Sequence, residues 1–355
     1  MSINKNTNTN TPTPNDMTPG RPLRAYNADG RFMDYSTDDL VGNKFNSFEG
    51  WSCGLGSMSL FVDMDGNIFG ASCQVGGKLG NIYEDFEIPD KWITCDRKIC
   101  SCGADLFIPK AKTEAQQKLL LKTNSQKPDL SRRGDVQGAD ITAMERTHAS
   151  DLKQVYWEIG RRCNYDCSYC WPWIHNKTDR HKTFEELVTA TEKVIQKFSK
   201  GSRVNFIISG GEPTLNPDFL DWTRYISSMG HYLSMHSNGT RLPDYYRELI
   251  HFGDLNLSAH FETINIEKFI KVVAAITDEK VKNSNHGVGH LEVKMMMAPG
   301  RREIALQLQA GILNIPKFKD YCTWAFVPIR DGKMGDEVMA GYTEEDFKLF
   351  GNGKI

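Results

Sequence analysis

From Asp151 onward, short apolar or β-branched runs alternate with amphipathic stretches, the order expected of successive strand–helix units around a parallel sheet. Six runs read as strands: VYWEIG from Val155, VNFIIS from Val204, YLSMHS from Tyr232, LNLSAHF from Leu255, LEVKMMM from Leu291 and TWAFVPI from Thr323. The most regular helix is predicted from Phe184 to Phe198, where Phe184, Leu187, Val188, Val194, Ile195 and Phe198 share one face. Right-handed crossovers between these strands predict a sheet curled into a partial barrel of six βα units. In parallel barrels the chemistry gathers at the C-terminal strand ends, so the loops after each run are where functional residues are sought.

Upstream the pattern changes. Between Trp51 and Asp105 the run SLFVDMDGNIF places Asp65-Gly66 between two apolar stretches, a hairpin signal. The expected organisation is a polar, disordered tail over 1–22, a small cysteine-rich β-hairpin domain over 23–108 and a polar linker over 109–150 with a short helix near Ala115 to Lys122. The α/β fold then follows as a partial (β/α)6 TIM-like barrel over 151–340, with a C-terminal segment over 341–355. The longest apolar run considered, IKVVAAI, is far too short to cross a bilayer, and the N-terminus lacks the apolar stretch of a secretory signal; a cytoplasmic protein with no membrane association is expected. A formal net charge of -2 gives no overall pull toward nucleic acid, and the basic run Ser131 to Gly134 is short, so no primary nucleic-acid binding is expected.

Eight of the nine cysteines fall in two groups, Cys53, Cys73, Cys95, Cys100 and Cys102, and Cys163, Cys167 and Cys170. Without an export signal this clustering favours metal ligation over disulfides. Cys322 opens an apolar strand and reads as a core thiol. The second group is a CxxxCxxC run in the loop after the first barrel strand, and three thiolates hold three irons of a cubane cluster while leaving one iron open. A structural zinc site borrowing His175 is the alternative.

This triplet, with Tyr169 before its last cysteine, resembles the signature of the radical S-adenosylmethionine superfamily. Gly210, Gly211, Glu212 and Pro213, after the second strand, match that family's GGE motif, which grips the methionine amino group. Ser237 and Asn238 are similar to the family's ribose-contacting turn, Ser258 to its polar residue on the fourth strand, and Met297 to the strand end that packs on adenine. The resemblance covers about Val155 to Ile329 and implies two cofactors, a [4Fe-4S] cluster on Cys163, Cys167 and Cys170 and S-adenosyl-L-methionine bound at its open iron. One-electron cleavage would then give a 5′-deoxyadenosyl radical that abstracts hydrogen from substrate, the electron coming from a donor such as flavodoxin or ferredoxin. Arg161 and Arg162 either tune the cluster or are solvated.

The stretch from Cys53 through the Asp65-Gly66 turn to Cys73, followed by Leu79 to Ile82, resembles the auxiliary-cluster modules called SPASM or twitch domains. Here it precedes the barrel. That resemblance implies a second iron-sulfur cluster on four of the five N-terminal cysteines, with zinc as the alternative metal. His260 and Glu262 are the candidate catalytic residues, and Lys294, Arg330 and Asp331 are further strand-end substrate contacts. Trp171 and Trp173 either shield the cluster or pack. The expected function is radical modification of a peptide or protein side chain, with two alternatives: modification of a nucleobase or related heterocycle, and a noncatalytic iron-sulfur or zinc protein.

Overall fold

The computed structural model describes residues 23–35, 37–100, 103–123, 129–146, 153–170, 173–284, 287–331 and 337–352. Apolar residues at alternate positions build a nine-stranded sheet from β1 (Ser59–Val62), β2 (Asn67–Phe69), β3 (Lys78–Asn81), β4 (Lys153–Glu158), β5 (Val204–Ser209), β6 (Tyr232–Ser237), β7 (Asp254–His260), β8 (Leu291–Met297) and β9 (Cys322–Pro328). Across the sheet the order is β9-β8-β7-β6-β5-β4-β1-β2-β3, and β4 through β9 pair in parallel with their neighbours. Three of the predicted runs coincide with strands β5, β6 and β8; the other three are displaced by one or two residues.

Helices Phe184–Val194, Phe219–Ser228, Pro243–Leu249, Ile266–Lys282 and Arg302–Leu313 follow strands β4 to β8 in turn. The first starts at a capping box, in which the Thr183 hydroxyl accepts from the Glu186 amide while the Glu186 carboxylate accepts from the Thr183 amide. It continues as a π-helical turn over Ile195–Ser199, so the predicted end near Phe198 spans two helix types. Val155, Trp157, Phe206, Ile208, Leu255, Leu257, Val293 and Met295, all fully buried, share the main core with Leu187, Trp222, Val273 and Leu308 of the helices. Fully burying a side chain of this size contributes roughly 1.5–3 kcal/mol, which makes this apolar layer the main support of the sheet.

The chain upstream is joined to this sheet. The hairpin β1–β2 forms at the predicted turn, where Asp63 accepts from the Asp65 and Asn67 amides and Gly66 takes φ +84°. Strand β1 also pairs in parallel with β4, and Leu60 and Val62 enter the main core. A second sheet, antiparallel throughout, runs in the order Phe32–Tyr35, Leu23–Tyr26, Ala143–Arg146, Lys110–Ala111, Ser52–Cys53, Ile93–Thr94. Segment 109–150 thus supplies two strands as well as a helix, Glu114–Thr123. Its polar composition hides the short pieces Lys110–Ala111 and Ala143–Met144, which are buried. The tail 1–22 lies outside the described residues, and among the described residues no helix is long and apolar enough to cross a membrane.

Candidate active site

The loop after β4 carries Cys163, Cys167 and Cys170, which line a cavity of about 400 Å³ with Gly210, Gly211 and Glu212 from the loop after β5. The two loops meet backbone to backbone. Gly211 donates to the Gly160 carbonyl (2.9 Å) and Glu212 to the Arg162 carbonyl (2.8 Å). A β-carbon on Gly211 would stand 2.5 Å from the carbonyl oxygens of Arg161 and Arg162, so only glycine permits this approach.

Glu212 is buried, and its carboxylate accepts from the Thr214 amide (3.1 Å) and hydroxyl (2.6 Å), the Ser237 hydroxyl (2.8 Å) and the Asn238 amide (2.6 Å). Burial raises its pKa and these donors oppose the rise. Its carboxylate therefore locks the GGE loop to the turn after β6, while the loop backbone faces the cavity. Ser237 also bonds the Tyr246 hydroxyl (2.7 Å), and Asn238 donates to Asn164 of the cysteine loop (2.8 Å).

The end of β7 braces the same cysteine loop. Glu262 accepts from the Ser168 amide and hydroxyl, both at 2.6 Å, and is absent from the cavity wall. His260 lines the cavity, with Nδ1 2.9 Å from the Tyr169 hydroxyl and the two rings stacked 6.0 Å apart. Burial lowers the His260 pKa to about 4 and raises that of Tyr169, so near neutral pH the phenol donates to a neutral imidazole. The Thr263 hydroxyl stands 3.8 Å from the Cys167 sulfur, and the Tyr165 amide donates to the Cys163 sulfur (3.4 Å). Burial is the leading cause of the raised pKa of Cys163 and Cys167. Sulfurs with such polar neighbours, beside an open cavity, fit the thiolates of an iron-sulfur cluster.

Ser258, Ser237 and Asn238 line the cavity. Met297 does not: it is fully buried, its carbonyl accepts from the Tyr342 hydroxyl (2.5 Å), and Met296 takes the cavity-facing position because successive strand residues face opposite ways. Ser209, His236, Tyr165 and Arg330 also line it, unanticipated as cofactor contacts although alternation along β5 and β6 marks the first two. His175 lines the same wall, 3.4 Å from Asp166. Asp331 lies on a short strand paired with Glu337–Val338. Cys322 is a buried core thiol 3.6 Å from Thr277.

A second cavity, of about 470 Å³, is lined by Cys53, Cys73, Cys95 and Cys100. Cys102 lies outside the described residues, as do Trp171 and Pro172. Asp105 accepts from the amides of Ser72 (3.3 Å) and Cys73 (2.9 Å), which fixes the Cys73 loop, and Lys110 donates to the Asp105 and Ile108 carbonyls (2.6 and 2.8 Å). Burial pushes Cys53 up to about 11 and Cys73 up to about 12. Four thiols around one cavity are a donor set suited to a thiolate-bound metal group, and Lys110, Arg97 and Arg161 share its wall with Asp63, Asp105 and Glu158. Glu158, also on this wall, is raised to about 7 by burial and by Asp63.

Ile174 lines both cavities. Arg161 spans the junction: its guanidinium holds Asp65 of the hairpin turn through two bonds (2.6 and 2.8 Å) and donates to the Trp173 carbonyl (2.9 Å). It is therefore engaged, whereas Arg162 is exposed and Trp173 is an exposed part of the second cavity's rim.

Three histidines give a measurable pH signature. Burial lowers His236 to about 3, His260 to about 4 and His290 to about 4, while an unfolded histidine titrates near 6.5. Their neutral forms favour the fold above pH 6.5, and that contribution is lost as pH falls toward 4, because the unfolded chain then binds more protons. Glu158 opposes this, its raised pKa adding stability as pH falls. His290, paired with Thr323 at 2.7 Å away from both cavities, isolates the histidine effect. Thermal melts from pH 7 to 4.5 should show a smaller loss of melting temperature in His290→Gln than in wild type; equal losses would contradict the assignment.

Parallel strands that gather thiols and a glycine-rich turn at their C-terminal ends define an α/β protein with a thiol-lined cavity at one edge of its sheet. Residues 157–286 match the family model described as Radical SAM superfamily. It is 28% identical over 138 residues to the tungsten-containing aldehyde ferredoxin oxidoreductase cofactor-modifying protein of Pyrococcus furiosus, a match covering 37% of this chain and 38% of that protein. It is 24% identical over 182 residues to a probable GTP 3′,8-cyclase of Methanococcus maripaludis, covering 50% of this chain and 58% of that protein. The chain thus spans about half the length of these curated relatives or less. Among solved structures, Streptococcus suis SuiB bound to S-adenosylmethionine superposes with a TM-score of 0.41 at 13% identity, over 56% of this chain and 45% of SuiB. The superfamily implies a [4Fe-4S] cluster and S-adenosylmethionine.

Proposed function

We propose that the protein is a radical S-adenosylmethionine enzyme whose parallel strands form a partial (β/α)6 barrel, and that it modifies a peptide or protein side chain. The observation that carries this is the convergence of Cys163, Cys167 and Cys170 with Gly210 and Gly211 on one cavity. When bound, the cluster and S-adenosylmethionine supply a 5′-deoxyadenosyl radical able to take hydrogen from a substrate carbon. The protein's share is placement. Cys163, Cys167 and Cys170 hold the cluster, the Gly210–Gly211 backbone faces the methionine moiety, and Asn238, Ser258 and Met296 border the nucleoside. Glu212 and Glu262 fix the loops, and His260 with Tyr169 walls the cavity against water.

The second cavity would hold an auxiliary cluster on Cys53, Cys73, Cys95 and Cys100. Zinc on the same thiols is the alternative metal. A peptide substrate agrees with this SPASM-like arrangement, and flavodoxin or ferredoxin would supply the electron. The second reading, a nucleobase or related heterocycle as substrate, is favoured by the relatives named GTP 3′,8-cyclase.

The test is anaerobic reconstitution, with iron and zinc counted per chain and 5′-deoxyadenosine assayed after adding dithionite and S-adenosylmethionine. About eight irons and 5′-deoxyadenosine formation are expected. Four irons with one zinc would restrict the second site to structure, and neither iron nor 5′-deoxyadenosine would overturn the enzyme assignment.

A further inference from the structure

The face of the sheet that fronts the cavities differs from the core face in chemistry and in burial. Closed parallel barrels fill their interior with layers of branched apolar side chains. Here Ser209, His236, Ser258 and Met296 line the first cavity, and alternation places Tyr156, Ile207, Asn256 and Lys294 on the same face. All eight keep accessible surface, whereas Val155, Phe206, Leu257 and Met295 on the opposite face are fully buried. Toward the cavity this face is open and mainly polar, while farther from it Gln154, Asn205, Ser234 and Glu292 on the same face are buried.

Pairing register gathers its charge. His236 stands opposite Asn256, Asn256 opposite Glu292, and Ser258 opposite Lys294. The Lys294 ammonium lies 3.3 Å from a Glu292 oxygen, and the lysine side chain is the more accessible of the two, 23% exposed against 9%. Among the described residues Lys294 has no other protein partner, so an ammonium with three donors has unused capacity beside the cavity-lining Ser258. Its charge also reaches His236, whose pKa it helps to lower.

We propose that this open face is the substrate's seat and that Lys294, with Ser258, Asn256 and His236, selects a substrate group bearing a carboxylate, as on an acidic side chain. The proposal rests on the reading that the first cavity holds S-adenosylmethionine. Glu292 balances the cation when the seat is empty.

Calorimetric titration of the reconstituted, S-adenosylmethionine-saturated protein tests it, with glutarate as the probe and glutaramide as its uncharged counterpart. Saturable glutarate binding is expected, at least about tenfold stronger than glutaramide, retained in Lys294→Arg and weakened about tenfold or more in Lys294→Met. Where Lys294→Met fails to retain iron, the charge-balanced double variant Glu292→Gln/Lys294→Met takes its place. Equal binding of the two probes, or undiminished glutarate binding without Lys294, overturns the proposal. So does a loss of S-adenosylmethionine affinity in the variant, which would give the lysine to the cofactor. If wild type fails to bind S-adenosylmethionine at all, the cofactor reading falls and this proposal with it, an outcome distinct from charge-blind binding by a cofactor-loaded protein.

Discussion

Replacing Cys163, Cys167 and Cys170 together by alanine is expected to abolish 5′-deoxyadenosine formation and to lower iron from about eight to about four per chain. The three thiols share one cavity wall, while Cys53, Cys73, Cys95 and Cys100 line another. Arg161 braces the junction through its side chain and through backbone contacts with the loop around Gly211, none of which needs the cysteine sulfurs. The second iron population should therefore survive. Replacing the four N-terminal cysteines should remove the other half of the iron while 5′-deoxyadenosine still forms from S-adenosylmethionine alone. Persistent 5′-deoxyadenosine in the first variant would place the chemistry elsewhere, and loss of all iron from it would show that the two sites do not load independently.

The other large effect is expected from Gly211→Ala. The added carbon would meet two carbonyl oxygens at 2.5 Å, and both belong to the backbone just before Cys163, so no flexible side chain can swing aside. Overpacking of this kind costs on the order of 1–3 kcal/mol. The strain has to be relieved by separating the glycine loop from the cysteine loop. Iron retention should fall, S-adenosylmethionine binding should weaken by tenfold or more, and the melting temperature should drop. Gly42→Ala is the control for a general glycine effect, since its β-carbon would meet nothing within 4 Å and, like Gly211, it is outside the left-handed region. A Gly211→Ala protein with wild-type iron and cofactor affinity would remove the glycine loop from the site.

The parallel strands were legible because each carries its own apolar run and is followed by a helix with a clear face; β5, β6 and β8 needed nothing beyond local pattern. The Asp65-Gly66 hairpin was legible for the same reason, since turn chemistry is local. The partner of β1 was not, because nothing in SLFV distinguishes the edge of a small sheet from a strand docked against β4. At the site, the cysteine spacing and the GGE motif read directly. The division of labour among them did not: Glu212 is spent on four internal donors, Glu262 on Ser168, and the choice between Met296 and Met297 turns on one step of strand alternation.

The pairing of β1 with β4 also orders events in time. During synthesis β1 and the cysteines beside it emerge well before Lys153–Glu158 exists, and closing so long a loop carries an entropic cost that delays parallel pairing. Until then Leu60 and Val62 have no core to enter, and the thiols of Cys53 and Cys73 have no completed cavity around them. The nascent N-terminal half is thus the stage most open to aggregation and to thiol oxidation. A reducing environment during translation, more than repair afterwards, should govern how much intact protein forms.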